Sequence, residues 1–193
     1  MPRTVVALLL AASLAGAASA DPFAHSSGEW REYHRDWLAS CPDAIIEDAP
    51  DYYGYSCFAS TGSAELNSAS LPAYKLTLIR NRLDGALDVA VTVAADGVTV
   101  DESRDLVLSF GGEAPMRLAF GSALETRFNT VNQYFVSDPE TRDRLLTLMK
   151  DRNAVTLHVP VSGGDTREVR LSLRGVLASL DFMSTYARRV TQY

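Results

Sequence analysis

The sequence is poor in the side chains on which most enzymes depend, since its 193 residues include only two cysteines and three histidines. The histidines, His25, His34 and His158, are scattered without the spacing of metal ligands. The chain also lacks a Gly-x-Ser-x-Gly nucleophile motif, and neither of its glycine pairs opens a helix as a phosphate-binding loop does. These absences favour a non-enzymatic protein with no cofactor, no catalytic residue and no metal site.

Long apolar runs and clusters of basic residues are missing as well. The one sustained apolar stretch, residues 5–17, is shorter than the roughly 18 residues that a transmembrane helix needs. Lys and Arg number 18 against 24 Asp and Glu, which gives a net charge of −6. An acidic chain without a basic run is a poor partner for nucleic acid. We therefore expect neither nucleic-acid binding nor a transmembrane anchor.

The N-terminus has the pattern of a secretory signal peptide. Arg3 precedes the apolar stretch, and the small residues Ala18 and Ala20 follow it at the spacing of a cleavage site. No cysteine near this site could carry a lipid. We predict a signal peptide over residues 1–20, cleaved after Ala20, and a soluble protein in the periplasm or outside the cell. A flexible leader over residues 21–28 and a single β-rich domain over residues 29–193 should follow.

The two cysteines, Cys41 and Cys57, are expected to form a disulfide, because an even pair in an exported protein is most often bonded. The closed loop holds about 15 residues, for which chain entropy gives a stabilisation of about 3 kcal/mol. A metal site and a reactive thiol are the competing interpretations. The scattered histidines argue against the metal site.

Apolar and polar residues alternate over most of the chain, as they do in half-buried strands. We predict one strand from Glu29 to Cys41 and a second from about Tyr53 to Ser60, which would pair and bring the cysteines together. The cleanest alternation, over residues 87–93, follows a hairpin turn at residues 82–85. Further strands are expected in the regions 74–78, 106–110, 115–120, 155–161 and 169–173.

Two helices complete the pattern. Ser137 and Glu140 have the spacing of a capping box, and an apolar stripe follows them. The expected helices cover about residues 138–150 and 175–189. Short strands in succession, with helices near the end of the chain, predict a mainly β fold: an antiparallel β-sandwich or barrel-like sheet with two peripheral helices.

The aromatic residues Tyr52, Tyr53 and Trp37 form the best candidate for an interaction surface, because Tyr and Trp combine a large rigid area with a polar tip. Core packing around the disulfide is the alternative, and it is the better explanation for Tyr55. His158 falls on the polar face of its strand with Thr156, where Arg170 and Ser172 could be its neighbours. An ordinary solvated sheet face explains this group better than a catalytic site does.

Four segments resemble the invasion-associated locus B family of bacterial envelope proteins: residues 37–41 (WLASC), 55–59 (YSCFA), 144–150 (RLLTLMK) and 169–180 (VRLSLRGVLASL). In order of elements the resemblance covers roughly residues 30–185. It implies a periplasmic or surface-exposed β-sandwich without known enzymatic activity, linked in some pathogens to host-cell entry. Only the pairing of Cys41 with Cys57 maps onto the family, and no catalytic residue is carried over.

The sequence thus predicts an exported, non-enzymatic protein that binds a protein or a component of the cell envelope. Two alternatives remain open at this point. The first is a small periplasmic hydrolase, in which His158 would be the residue to test. The second is a carrier that holds a small apolar ligand between its sheets.

Overall fold

The structure is a computed structural model that describes residues 21–49, 52–128 and 130–189. The predicted signal peptide, residues 1–20, lies outside the described residues. The strands found within the described ranges are β1 Phe23–His25, β2 Glu29–His34, β3 Trp37–Pro42, β4 Ser56–Gly62, β5 Tyr74–Asn81, β6 Leu87–Val93, β7 Leu106–Ser109, β8 Met116–Leu118, β9 Leu124–Glu125, β10 Gln133–Val136, β11 Ala154–Pro160 and β12 Thr166–Ser172. The helices in the same ranges are α1 Pro139–Asp151 and α2 Val176–Arg189.

The strands form two antiparallel sheets. The larger has eight strands in the order β1-β2-β3-β4-β5-β6-β10-β9, and the smaller has four in the order β12-β11-β7-β8. The predicted mainly β fold with two helices near the C-terminal end is confirmed, and the two separate sheets correspond to the sandwich rather than to one barrel-like sheet. Within the described residues, no helix combines the length and the apolar character needed to cross a bilayer.

The core between the sheets is built from the inward faces of the alternating strands. Trp37, Ala39 and Cys41 on β3, and Cys57 and Ala59 on β4, are all completely buried there, as their alternation predicted. The disulfide between the two cysteines is present and joins β3 to β4, with the Cα atoms 4.2 Å apart. Burial of this apolar surface is the main stabilising contribution to the fold.

The predicted strand from Glu29 to Cys41 is wrong in one respect, because it is a hairpin. β2 and β3 pair with His34 opposite Trp37, and Arg35 turns the chain with a φ of 57°. Since directly opposed residues share a face, Glu32 and His34 point to the same side as Trp37 and are buried, whereas Tyr33 is 54% exposed. In one continuous strand from Glu29 to Cys41, Tyr33 would share the face of Trp37; the turn that changes its side contains no glycine to mark it.

Two other boundaries differ from expectation. Residues 21–28, expected as a flexible leader, contain β1, which pairs with β2 in the register Phe23 to Arg31. The second predicted strand begins at Ser56, and Tyr52–Gly54 form a short 3-10 turn before it. The turn allows consecutive tyrosines to reach the same surface, which a strand would not.

The helix α1 begins one residue later than the predicted capping box. Its N-cap is Asp138, whose carboxylate accepts a hydrogen bond from the Thr141 N–H, and proline follows it at the first helical position. The Ser137 hydroxyl instead donates to the Ser122 carbonyl.

The helix α2 begins directly after Gly175, which has a φ of 117°. A Cβ atom at this position would lie 1.9 Å from the His34 carbonyl oxygen. We expect Gly175→Ala to lower the free energy of unfolding by about 2 kcal/mol, because it adds a clash to backbone strain. Urea denaturation measures the loss. Gly111→Ala is the control, since a Cβ atom there meets nothing within 4 Å; equal stability of the two variants would contradict the prediction.

Candidate functional site: an aromatic patch on the large sheet

A second, smaller apolar cluster lies on the face of the large sheet that points away from the sandwich core. Its buried members come from the 3-10 turn and from three strands, and Tyr55 and Phe58 pack against them. The buried members are Tyr52, Ile79, Ala90 and Phe135. We refer to the rings of Tyr52, Tyr53, Phe58, Phe128 and Phe135 as the aromatic patch.

Tyr52 is the fixed base of the aromatic patch. It is buried, and its hydroxyl donates a hydrogen bond of 2.7 Å to Oε1 of Gln133. Its ring meets Phe135 edge-on at a centroid distance of 5.6 Å and lies 4.7 Å from Phe128. Such aromatic pairs add to the stabilisation from burial alone.

Tyr53 is the exposed counterpart of Tyr52. Its ring stacks on Tyr52 at 4.6 Å and on Phe58 at 5.1 Å, yet 54% of the residue remains exposed. Phe128, whose ring also contacts that of Tyr52, is 45% exposed. The two rings are therefore held in place from below while each presents a face to solvent.

Two exposed aliphatic side chains belong to segments next to the exposed rings. Ile46, whose N–H donates to the Gly54 carbonyl, is exposed next to the 3-10 turn, and Val131 is exposed in the loop that carries Phe128. Scattered apolar residues are normal on a protein surface, but exposed rings stacked on an ordered base are typical of a binding surface.

The segment that carries Tyr52 and Tyr53 is restrained at both ends. The disulfide closes it from Cys41 to Cys57. Arg82 contacts the segment near both of its ends. The Arg82 backbone N–H donates to the Tyr55 carbonyl, and the Arg82 Nη1 donates to the Pro42 carbonyl at 2.5 Å. Burial lowers the pKa of Arg82, which is partly offset by the carboxylate of Asp43. These restraints reduce the ordering cost of binding a partner.

The rim of the aromatic patch is acidic. Residues 42–49 include the exposed side chains of Asp43, Glu47 and Asp48 and contain no basic residue. Arg127 lies over the Phe135 ring at 4.9 Å, but its guanidinium is already paired with Asp88 and with Glu125. The charge available to a partner is therefore negative.

The structure brings together only part of the surface that the sequence predicted. Tyr52 and Tyr53 are in contact, with Tyr53 exposed. The prediction that Trp37 belongs to this surface is wrong, because Trp37 is completely buried in the sandwich core, on the opposite face of the sheet. The sequence missed Phe128 and Val131, because only the pairing of β10 with β6 brings their loop beside Tyr52.

His158 belongs to a different polar group, on the outer face of the small sheet. A hydrogen bond of 2.9 Å joins its Nε2 to Oγ of Ser109, and its Nδ1 lies 3.3 Å from Oε1 of Glu168. The sequence expected Arg170 and Ser172 as neighbours, but the register places Glu168 directly opposite His158. The order serine, histidine, carboxylate is that of a nucleophile with its base and orienting group.

The arrangement of Ser109, His158 and Glu168 does not by itself make a catalytic site. Acyl transfer also requires donors at the position of the oxyanion and a cleft that excludes water. Glu168 is 70% exposed and stands on an open strand surface, where water competes for every contact. The aromatic patch is therefore the better candidate site.

Comparisons with known proteins support the fold. No protein-family model matches this chain, and no curated protein matches it significantly. The solved structure of invasion associated protein B from Bartonella henselae does match, with a TM-score of 0.54 and 15% identity over 82% of this chain and 98% of that chain. At this identity the likeness concerns the fold alone, and at that level it agrees with the resemblance of the sequence. The chain shares the fold of invasion associated protein B.

Proposed function

We propose that this chain is an exported, non-enzymatic binding protein of the bacterial envelope that uses the aromatic patch to dock a positively charged surface of a partner protein. The observation that carries the proposal is the exposure of Tyr53 and Phe128 on a rigid aromatic base beside an acidic loop. Aromatic residues in such positions supply most of the energy of protein interfaces.

Three features support export. The N-terminal pattern is that of a signal peptide cleaved after Ala20, and Cys41 and Cys57 form a disulfide, a bond typical of oxidising compartments. The sequence segments that resemble the invasion-associated locus B family support the same compartment, because that resemblance implies an envelope protein. We extend to this chain the association with invasion that the name of invasion associated protein B from Bartonella henselae states.

The charge distribution favours a basic protein as the partner. The acidic loop of residues 42–49 adjoins the exposed rings, and residues 21–193 carry a net charge of −7, since Arg3 is the one charged residue before them. Complementary charge speeds association and excludes partners of like sign. The aromatic rings then supply the apolar contact.

The main test compares Tyr53→Ala with Tyr33→Ala, because both tyrosines are 54% exposed and only the first belongs to the aromatic patch. A basic envelope protein captured by the wild-type chain should bind Tyr53→Ala at least about tenfold more weakly, as at an interface hot spot. Tyr33→Ala should bind it normally. Surface plasmon resonance with the purified pair measures both affinities.

Two results would overturn the proposal. The first is equal binding by the two tyrosine variants. The second is that the wild-type chain binds envelope glycan or lipid vesicles instead of a protein, and that Tyr53→Ala abolishes this binding. Glu47→Lys adds a check on the charge, since it should slow association with a basic partner while leaving the aromatic contact intact.

A second candidate function, hydrolysis, is favoured by one observation, the chain of contacts from Ser109 through His158 to Glu168. If this group catalyses acyl transfer, Ser109→Ala and His158→Ala should each lower the hydrolysis of p-nitrophenyl acetate at least about a hundredfold. Equal rates for the wild type and both variants would eliminate it. No such observation favours the apolar carrier; among the described residues, the buried side chains between the sheets form one packed cluster.

A further inference from the structure

A cavity of about 270 Å³ lies between β2 and α2, apart from the aromatic patch. β2 contributes Glu32 and His34 to its wall, which the hairpin register turns toward the helix. One face of α2 contributes Asp181, Phe182 and Tyr186. Four of these five side chains, all except that of Phe182, carry polar groups with acid–base chemistry, and none takes part in the function proposed above.

Two carboxyl groups belong to the cavity wall. Glu32 is buried and Asp181 is exposed at the mouth, so one carboxylate lies deep in the wall and the other faces solvent. None of the described side chains that line the cavity belongs to Lys or Arg. A cation entering the cavity would therefore meet two carboxylates within a partly desolvated site, where ionic attraction is stronger than in water.

His34 provides a second, independent indication of a ligand. Its side chain is 7% exposed, and its Nδ1 lies 3.6 Å from Oε1 of Glu32. Its Nε2 is buried and has no hydrogen-bond partner among the described residues. A buried polar atom without a partner costs about 1–3 kcal/mol, so such atoms in native proteins require an explanation.

Aromatic rings form the rest of the wall. The rings of Phe182 and Tyr186 are 4.4 Å apart between centroids, and Phe182 meets His34 edge-on at 5.8 Å. Trp30 lies beyond Tyr186 at 6.2 Å. Aromatic faces attract organic cations, and they also cover the alkyl chain of such a ligand.

We infer that this cavity binds an alkylammonium group. The carboxylates of Glu32 and Asp181 pair with the ammonium, and the rings of Phe182 and Tyr186 pack on the alkyl chain. With its Nδ1–H toward Glu32, the His34 ring has the Nε2 lone pair left to accept a ligand N–H. The ammonium comes either from a free amine or from a lysine side chain of another protein.

Isothermal titration calorimetry of the mature chain tests the inference. Cadaverine represents a free amine, Nα-acetyl-lysine methylamide represents a lysine side chain, and 1-pentanol is the uncharged control. We expect saturable heat from at least one amine and none from 1-pentanol. The amine that binds more tightly identifies the source of the ammonium group.

Asp181→Asn provides the decisive variant, since the side chain is exposed and the replacement keeps its size while removing its charge. It should weaken the amine at least tenfold. Asp143→Asn removes the same charge from the exposed face of α1 and should have no effect. Absence of saturable binding by both amines, or equal weakening by the two variants, would overturn the inference, because the second result would indicate general attraction to an acidic protein.

Discussion

Trp37→Ala should lower the free energy of unfolding by about 4 kcal/mol, the largest single loss we expect in this chain. The side chain is completely buried, and its Nε1–H donates a hydrogen bond of 3.0 Å to the Ser172 carbonyl. Trp37 lies on the large sheet and Ser172 on the small one. Its removal therefore leaves a cavity between the sheets and also deprives a carbonyl of its donor.

Urea denaturation followed by circular dichroism measures this loss without depending on tryptophan fluorescence. Trp30→Ala is the matched control, because Trp30 is only partly buried and its Nε1–H donates to the surface carboxylate of Asp43. Its loss should be less than half as large. Trp37→Phe separates the two contributions, since it keeps most of the apolar volume and removes the donor. Equal losses for Trp37→Ala and Trp30→Ala would contradict the packing described above.

Removing the disulfide should lower the free energy of unfolding by about 3 kcal/mol. Cys41 and Cys57 are 16 residues apart in sequence, so the bond removes much of the loop entropy of the unfolded chain. Cys41→Ala/Cys57→Ala is compared with the wild type under oxidising and reducing conditions. Reductant should destabilise the wild type and leave the double variant unchanged. Insensitivity of the wild type to reductant would refute a stabilising bond.

The same change should weaken binding of the partner protein. The segment closed by the bond carries Tyr52 and Tyr53, and its ordering in the free protein reduces the entropy lost on binding. The double variant should therefore bind more weakly even where it remains folded. Binding at wild-type affinity would show that Arg82 alone holds the segment in place.

Much of the fold could be predicted because burial imposes a period of two on each strand. For this reason the structure confirms two predicted features: the alternating burial of Trp37, Ala39 and Cys41, and the strand over residues 87–93. The hairpin within residues 29–42 could not be predicted, because Arg35 adopts its positive φ without a glycine signal. A two-residue turn then reverses the assignment of faces in the preceding strand.

The candidate site was predictable only where its residues are neighbours in sequence. Tyr52 and Tyr53 are adjacent, whereas Phe128 joins them through the pairing of β6 with β10, which no local pattern reveals. The partner of His158 was missed for a related reason. Sequence indicated that β11 and β12 pair, but the register that places Glu168 opposite His158 depends on the geometry of the turn between them.

The contacts between the first hairpin and the start of α2 have a consequence for biosynthesis. Trp37 bonds to a residue 135 positions later, and the His34 carbonyl occupies the space left by Gly175. Synthesis begins at the N-terminus, so the hairpin emerges first. Its inner face is covered only after residues 172–175, near the other end of the chain, have been made. A product that ends before residue 172 lacks the hydrogen-bond partner of Trp37, so it cannot cover this face of the hairpin.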